Sequence, residues 1–259
     1  MAAAASATLA AASAGRARGV RVAVVRIGII VALLTAWEIV ARSGWLFRDV
    51  VPTLAVIGRA VLRMLADPVF YANLRVTALE IAAALAIGGG IGLIVGLLLG
   101  GSRFLSRAYE GIVYYLGPTP KIIFFPIMIL WFGTGAGSKI AMGALSCFFP
   151  IAISAASGMR GIDRVLIKVG KSFRASSWQM VTKIYLHAMR EPIINGLRLG
   201  LGVAVVGTLL AETKLSNRGL GYLVIQAYTL FDMPKMYALV IVLFVLAIGI
   251  NVLLGRLRK

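Results

Sequence analysis

Six long apolar segments govern what this chain can become. They lie at about 22–41, 72–100, 109–132, 138–157, 193–212 and 236–254. A helix rises 1.5 Å per residue, so about 20 residues cover the ~30 Å hydrocarbon core of a bilayer. Each segment has that length, and 259 residues leave little chain over for a soluble domain. Composition agrees: 60% of residues are hydrophobic and 14% charged, where a soluble domain carries about a quarter charged. The expected fold is all-α, a polytopic membrane protein of about six transmembrane helices. Residues 1–21 read as a disordered N-terminal tail and 22–259 as a single transmembrane domain. An ordinary soluble enzyme, a disordered chain and a disulfide scaffold are excluded.

The charges orient the segments. There are 27 Lys and Arg against 9 Asp and Glu, a net charge of +18. The cations are scattered over short loops rather than gathered on one face, which argues against nucleic acid and for anionic lipid. Both ends of the chain and the stretches 103–107 and 158–191 carry sixteen cations, and the opposite loops nine. Positively charged loops stay on the cytoplasmic side, so both termini and the 158–191 loop are expected there. One cysteine, Cys147, and one histidine, His187, build neither an internal disulfide nor a metal site.

Inside the spans, several residues draw notice. Gly88, Gly92, Gly96 and Gly100 share one helix face, a pattern that lets a second helix approach closely. Pro118, Pro120 and Pro126 should kink or break the third span. Lys121 lies beside them, about midway along it. It has two readings: a pathway residue attracting an anionic substrate, or a cap for carbonyls freed at the break. The second is the simpler, since prolines leave backbone acceptors in need of donors. Glu38 and Glu212 fall at span ends, where charge costs little. Glu212 nonetheless joins Pro118, Pro120 and Lys121 as a translocation-path candidate. Lys139 stands at the edge of the fourth span, and Arg198 lies close enough to the fifth span's end to snorkel. The run from Gly133 to Lys139 only loosely echoes a phosphate loop: Ser138 separates Gly137 from Lys139, and membrane spans flank it. The chain is therefore expected to hold no ATP site and no cofactor of its own. It shows no nucleophile–base set or paired catalytic carboxylates.

The 158–191 loop is the longest on its side. Ile162, Val165, Leu166, Val169 and Phe173 recur at helical spacing, with Arg164, Lys168, Lys171 and Arg174 on the other face. Ser176 and Ser177 break the pattern, which resumes at Trp178. Such a helix cannot span. It either lies on the membrane surface or docks into a partner.

Certain stretches resemble a known family. They are Val51-Pro52-Thr53; 92–99 ahead of Ser102-Arg103; Pro118-Thr119-Pro120-Lys121; PIMILWFG at 126–133; Phe148-Phe149-Pro150; Gly196-Leu197-Arg198; Ala211-Glu212; and GLGYL at 219–223. Together they resemble the permease subunits of binding-protein-dependent ABC importers, in the nitrate/taurine/alkanesulfonate branch, over roughly residues 50–255. The resemblance implies a non-enzymatic subunit of an ATP-driven importer that forms the path for a small, sulfonate-like organic anion. It also implies its partners: a cytosolic ABC ATPase dimer carrying ATP and Mg, a second permease subunit in a homo- or heterodimer, and an extracytoplasmic solute-binding protein.

In that family a coupling helix in this loop docks on the ATPase. The positions that match here are Lys168, Gly170, Lys171, Phe173, Arg174, Ala175, Ser176 and Trp178. The Ala-Ser-x-Trp-Gln tail at 175–179 fits the family pattern. Lys168 stands where the family has Glu, Arg174 where it has Gly, and Leu186-His187 where it has Leu-Pro. In the second span Glu80 replaces a usual Arg, and Ala84 a common Gly. An ATPase with a complementary acid would match the inverted charge at 168. A secondary transporter, with inverted repeats and paired membrane carboxylates, and a non-transporting scaffold are the rival readings.

Overall fold

The computed structural model describes the backbone of residues 2–44 and 50–256, with side chains from residue 22 onward except those of 45–49 and Leu254. Trailing cations Arg258 and Lys259 lie outside the described residues. Among the described residues all regular structure is helical. Five helices are long and apolar enough to cross a membrane: Val22–Ser43, Pro68–Gly101, Ala136–Arg160, Arg190–Lys214 and Met233–Leu253. The pair Arg103–Leu116 and Lys121–Phe132, bent by 93°, makes a sixth when taken as one broken span. Five of the expected spans coincide with these helices, and the third falls on the bent pair. The third is interrupted where Pro118 and Pro120 fall.

Contacts divide the chain into two units, residues 1–62 and 63–259. In the first, α1 (Ala2–Ser43) precedes α2 (Leu54–Leu65). Residues 2–21, read from sequence as a tail, continue the helix α1. Glu38 of α1 accepts the Leu54 N–H at 3.0 Å and bonds Arg42 at 2.7 Å. The Trp37 indole N–H donates to the Pro52 carbonyl at 3.1 Å. One carboxylate thus satisfies the first N–H of α2, a donor without an intrahelical partner.

The second unit holds α3 (Pro68–Gly101), α4 (Arg103–Leu116), α5 (Lys121–Phe132), α6 (Ala136–Arg160), α7 (Arg164–Ser172), α8 (residues 177–188), α9 (Arg190–Lys214), α10 (Leu220–Thr229) and α11 (Met233–Arg256). Asp67 and Pro68 open α3. The Asp67 side chain accepts the Val69 N–H at 2.9 Å, and Pro68 fills the first helical turn, where its missing N–H costs nothing.

The core is α3, α6 and α9 packed side by side. Gly88, Gly92, Gly96 and Gly100 of α3 meet Ala144, Phe148, Ala152 and Ala156 of α6 in turn. A Cβ on Gly92 would stand 2.7 Å from the Phe148 carbonyl, and one on Gly96 2.5 Å from that of Ala152. This is the close approach that their four-residue spacing predicts. Numbers rise together along both helices, so α3 and α6 are parallel. On the opposite flank of α6, Gly196, Gly200 and Gly207 of α9 meet Ser154, Ile151 and Ser146, so α9 runs antiparallel. Cys147, Ile151 and Ala204 fill the middle of the sandwich with Leu85, Leu93 and Leu197 around them.

Candidate functional site

The 158–191 loop forms two short helices joined by a tight, fully bonded corner. Asp163 caps α7, accepting the Val165 N–H at 2.8 Å. At its other end the Ala175 N–H reaches back to the Gly170 carbonyl (3.0 Å) and the Arg174 N–H to that of Lys171 (2.9 Å). This pair of bonds is a Schellman motif, with Arg174 at the position that glycine usually takes. Arg174 accordingly has φ of +50°, costly for a residue with a Cβ. Two residues on, Ser176 and Gln179 form a capping box for α8: the Gln179 N–H donates to Ser176 Oγ (3.3 Å) and the Ser176 N–H to Gln179 Oε1 (2.9 Å). The Ala-Ser-x-Trp-Gln tail is therefore a helix start, and Ser176 is where the sequence pattern breaks.

This corner fixes which side chains face outward. Ile162 packs into the body beside Ala155 and Met189, with Ile167 and Tyr185 around them. Gly170 seats α7 against Met180 and Ile184 of α8. The rest of the apolar stripe stays uncovered: Val165 is 61% exposed, Phe173 83% and Trp178 75%. Lys168, Lys171, Arg174 and Ser176 are exposed as well, and Ala175 is half-buried. The loop is rooted by a bidentate ion pair. Arg160, at the end of α6, holds Glu110 of α4 with both contacts at 2.7 Å, and Ser106 donates to the same carboxylate at 2.5 Å. The loop's root is thereby tied to the first half of the broken span.

At the break itself Pro118 and Pro120 are exposed and Lys121 is half-buried. The Lys121 ammonium donates to the carbonyls of Gly117 and Thr119 and sits 5.0 Å from the centre of the Phe149 ring. Its charge is spent on carbonyls that the break leaves without helical partners, and an aromatic face covers it.

At the end of the core away from the loop lies a cluster of buried charge. Glu80 of α3, Lys139 of α6 and Glu212 of α9 are at most 5% exposed. Glu212 accepts Thr77 Oγ1–H at 2.7 Å on one oxygen and the Gly221 N–H at 2.6 Å on the other. Thr77 Oγ1 in turn accepts the Leu220 N–H (2.8 Å), and Asn73 Oδ1 that of Gly219 (2.7 Å). The first N–H groups of α10 are thus held by α3 and α9. Gly219 has φ of +102°, and a Cβ there would collide with the Glu212 carboxylate. Lys139 donates to the carbonyls of Thr134 and Leu215, the latter at 2.5 Å. The Glu80 carboxyl faces that of Glu212, and the Lys139 ammonium lies near both. Glu80 Oε2 and Thr208 Oγ1 are buried without a hydrogen-bond partner among the described residues.

Of the four path candidates, Pro118, Pro120 and Lys121 adjoin one another at the break, and Glu212 is fully buried and bonded within the chain, one residue from Ala211, which packs on Phe125. Glu80 and Lys139 gave little signal in sequence: Lys139 stands at the edge of its span, and Glu80 lies about two turns inside its own with no partner nearby in the chain. Nothing local in the sequence marks Glu80, Lys139 and Glu212 as partners, because each stands on a different span and only the packing of those spans brings them together.

These features define a class: a helical, multi-span membrane subunit with one broken span and an exposed amphipathic helix pair rooted at one end. The family described as "Binding-protein-dependent transport system inner membrane component" matches residues 88–259, and the chain belongs to that family. It is 29% identical over 210 residues to the Bacillus subtilis permease SsuC, named for aliphatic sulfonates transport, covering 81% of this chain and 76% of that one. It is also 29% identical over 240 residues to the Escherichia coli taurine transport system permease TauC, covering 89% and 87%. Its fold resembles a chain of the MetNI methionine ABC transporter in an inward-facing conformation, with a TM-score of 0.59, 22% identity and coverage of 79% and 95%.

Proposed function

We propose that this chain is the membrane subunit of an ATP-driven importer for a small organic anion of the sulfonate class, coupled through α7 and α8 to a separate ATPase. The observation that carries the coupling is the apolar stripe Val165, Val169, Phe173 and Trp178, left uncovered on helices too short and basic to cross a bilayer. A stripe this exposed calls for a partner, and the braced corner at 173–176 presents it as a rigid edge. Residues Lys168, Lys171 and Arg174 border the stripe and suit an acidic rim on the ATPase groove. The orientation follows the charge bias, with both termini and this loop cytoplasmic.

ATP and Mg would be bound by the ATPase dimer, and this chain supplies the path and the lever. Two such permease subunits and an extracytoplasmic solute-binding protein would complete the assembly. ATP-driven closure of the ATPases would draw the α7–α8 units of the two subunits together. The Arg160–Glu110 pair would carry that movement into the broken span, where Pro118, Pro120 and Lys121 mark a flexible wall. Glu212 acts as a strut for the α9–α10 turn rather than as a path residue. The sulfonate class comes from what relatives are named for.

The test is a double charge reversal, Lys168→Glu with Arg174→Glu, in the complete transporter reconstituted in liposomes. Uptake should fall at least tenfold, with the subunit present at normal level and ATP hydrolysis no longer stimulated by the binding protein. Unchanged uptake would overturn the docking assignment. Uptake that persists without ATP would favour the secondary-transporter reading.

A further inference from the structure

The geometry points to a bound anionic phospholipid in the crevice between α9 and α11, with one acyl chain in the slot and the phosphate on Arg198. The crevice has a volume of about 300 Å³ and runs from Asn251 and Leu201, toward the loop end, to Thr213 and Gly221 at the other. Residues 201–213 of α9 put its length at roughly 18 Å at helical rise. Along that length its walls are aliphatic or aromatic, Val205, Val206, Leu243 and Phe244 among them, and polar groups occur only at the two ends. A volume this small spread over that length leaves no room for a helix, which is about 10 Å across with its side chains. Its long, thin shape and its alignment with the spans suit a single hydrocarbon chain.

The loop end supplies the charge. Arg198 donates from Nε (3.1 Å) and Nη2 (2.9 Å) to Asn251 Oδ1, pinning α9 to α11 at the mouth of the slot. A guanidinium has five N–H donors, so the Asn251 contacts leave others free to meet a phosphate. The guanidinium also lies beside Gly255, where the absence of a side chain keeps its face open. The next residue, Arg256, is exposed in the last turn of α11 and adds a second cation at the same level. Basic pockets between membrane helices are established headgroup sites. Here the cation and the slot meet at the depth where a phosphate and its first methylenes would lie. The Arg198–Asn251 pair is thus part of a lipid site as well as a helix clamp.

The experiment is native mass spectrometry of the full chain purified in mild detergent from membranes containing phosphatidylglycerol and phosphatidylethanolamine. The wild-type protein should keep one phosphatidylglycerol through delipidation. Arg198→Gln should lower its occupancy about fivefold, whereas Arg198→Lys should retain most of it. Gly202→Phe, which fills the slot without touching the cation, should also expel the lipid. Thermal unfolding of each variant, read alongside, identifies any that fails to fold. Occupancy unchanged in both Arg198→Gln and Gly202→Phe would overturn the proposal. So would a slot that holds only detergent, or a second copy of this chain in place of lipid. Loss of phosphatidylethanolamine and phosphatidylglycerol to the same extent would refute the assignment of the phosphate to Arg198.

Discussion

Replacing Lys139 by Met should be among the most damaging single changes in this chain. The side chain is 1% exposed, and its ammonium bonds two carbonyls and faces two carboxyls. Methionine fills much the same volume, so packing loss is small. What remains is electrostatic: two buried acids with no cation, and Thr134 and Leu215 carbonyls without their donor. Breaking a buried charge arrangement by removing one partner costs about 3–5 kcal/mol, and each orphaned carbonyl costs about 1–3 kcal/mol. These overlap, and ~5 kcal/mol is a fair total, comparable with the whole stability of many domains. At ~2–4 °C per kcal/mol for a chain of this size, the unfolding temperature should fall by roughly 10–20 °C. Cys147 supplies the assay, because the sole cysteine is fully buried and a thiol-reactive fluorogenic dye will report its exposure on heating. Adding Glu80→Gln removes one of the two acids left without a cation and should restore about a third or more of the loss. On its own, Glu80→Gln should be neutral or mildly stabilising, since its amide can still bond the Glu212 carboxylate that it faces, Lys139 keeps Glu212 as counter-charge, and Glu80 Oε2 has no partner to lose. A fall under about 3 °C for Lys139→Met, or no recovery in the double variant, would refute this account.

Three further outcomes follow from the same structure. Arg174→Gly should raise the unfolding temperature of the loop by relieving the positive φ, a gain of about 1 kcal/mol; protease protection of α7 and α8 measures it, and faster cleavage would count against the Schellman corner. Glu110→Arg or Arg160→Glu alone should weaken coupled transport, and the double exchange should restore it; the partly exposed pair contributes no more than about 1 kcal/mol of stability, so the readout is uptake per ATP rather than unfolding. Gly96→Val should prevent assembly of the core, at a cost above about 3 kcal/mol, while Gly90→Ala, with nothing within 4 Å of its Cβ position, should be silent in the same dye assay.

How much of this was legible in the sequence varies with the range of the interaction. The spans were readable because membrane thickness imposes one length on all of them. The glycine face was readable because a four-residue repeat lies within one helix. The break at Ser176 was visible, and its chemistry follows from the Gln three residues on. The charged cluster was not readable: Glu80, Lys139 and Glu212 are far apart in the chain, and only the α3–α6–α9 packing brings them to one level. Spacing placed Val165, Leu166, Val169 and Phe173 on one apolar face with Ile162. It could not tell that Ile162 would be buried against Ala155 and Met189 while the others stayed bare, because that depends on how the loop folds back on the core. The positive φ of Arg174 was equally hidden, since nothing local distinguishes an arginine forced into a glycine's conformation.

The seam between α3 and α6 has a consequence for how such a subunit can move. Backbone lies against backbone along Gly88, Gly92, Gly96 and Gly100, and the rotameric side chains, such as Leu85, Leu93, Ile151 and Met159, stand beside that line of contact rather than between the helices. Two surfaces that mesh through side chains can slip to a second set of interlocking positions. Two bare backbones have no second set, so α3 and α6 behave as one rigid rod. Any alternation of this subunit between two shapes must therefore be taken up outside that rod, and the 93° bend between α4 and α5, which meets the rod through side chains such as the Arg160–Glu110 pair and Lys121 on the Phe149 ring, is the joint best placed to take it.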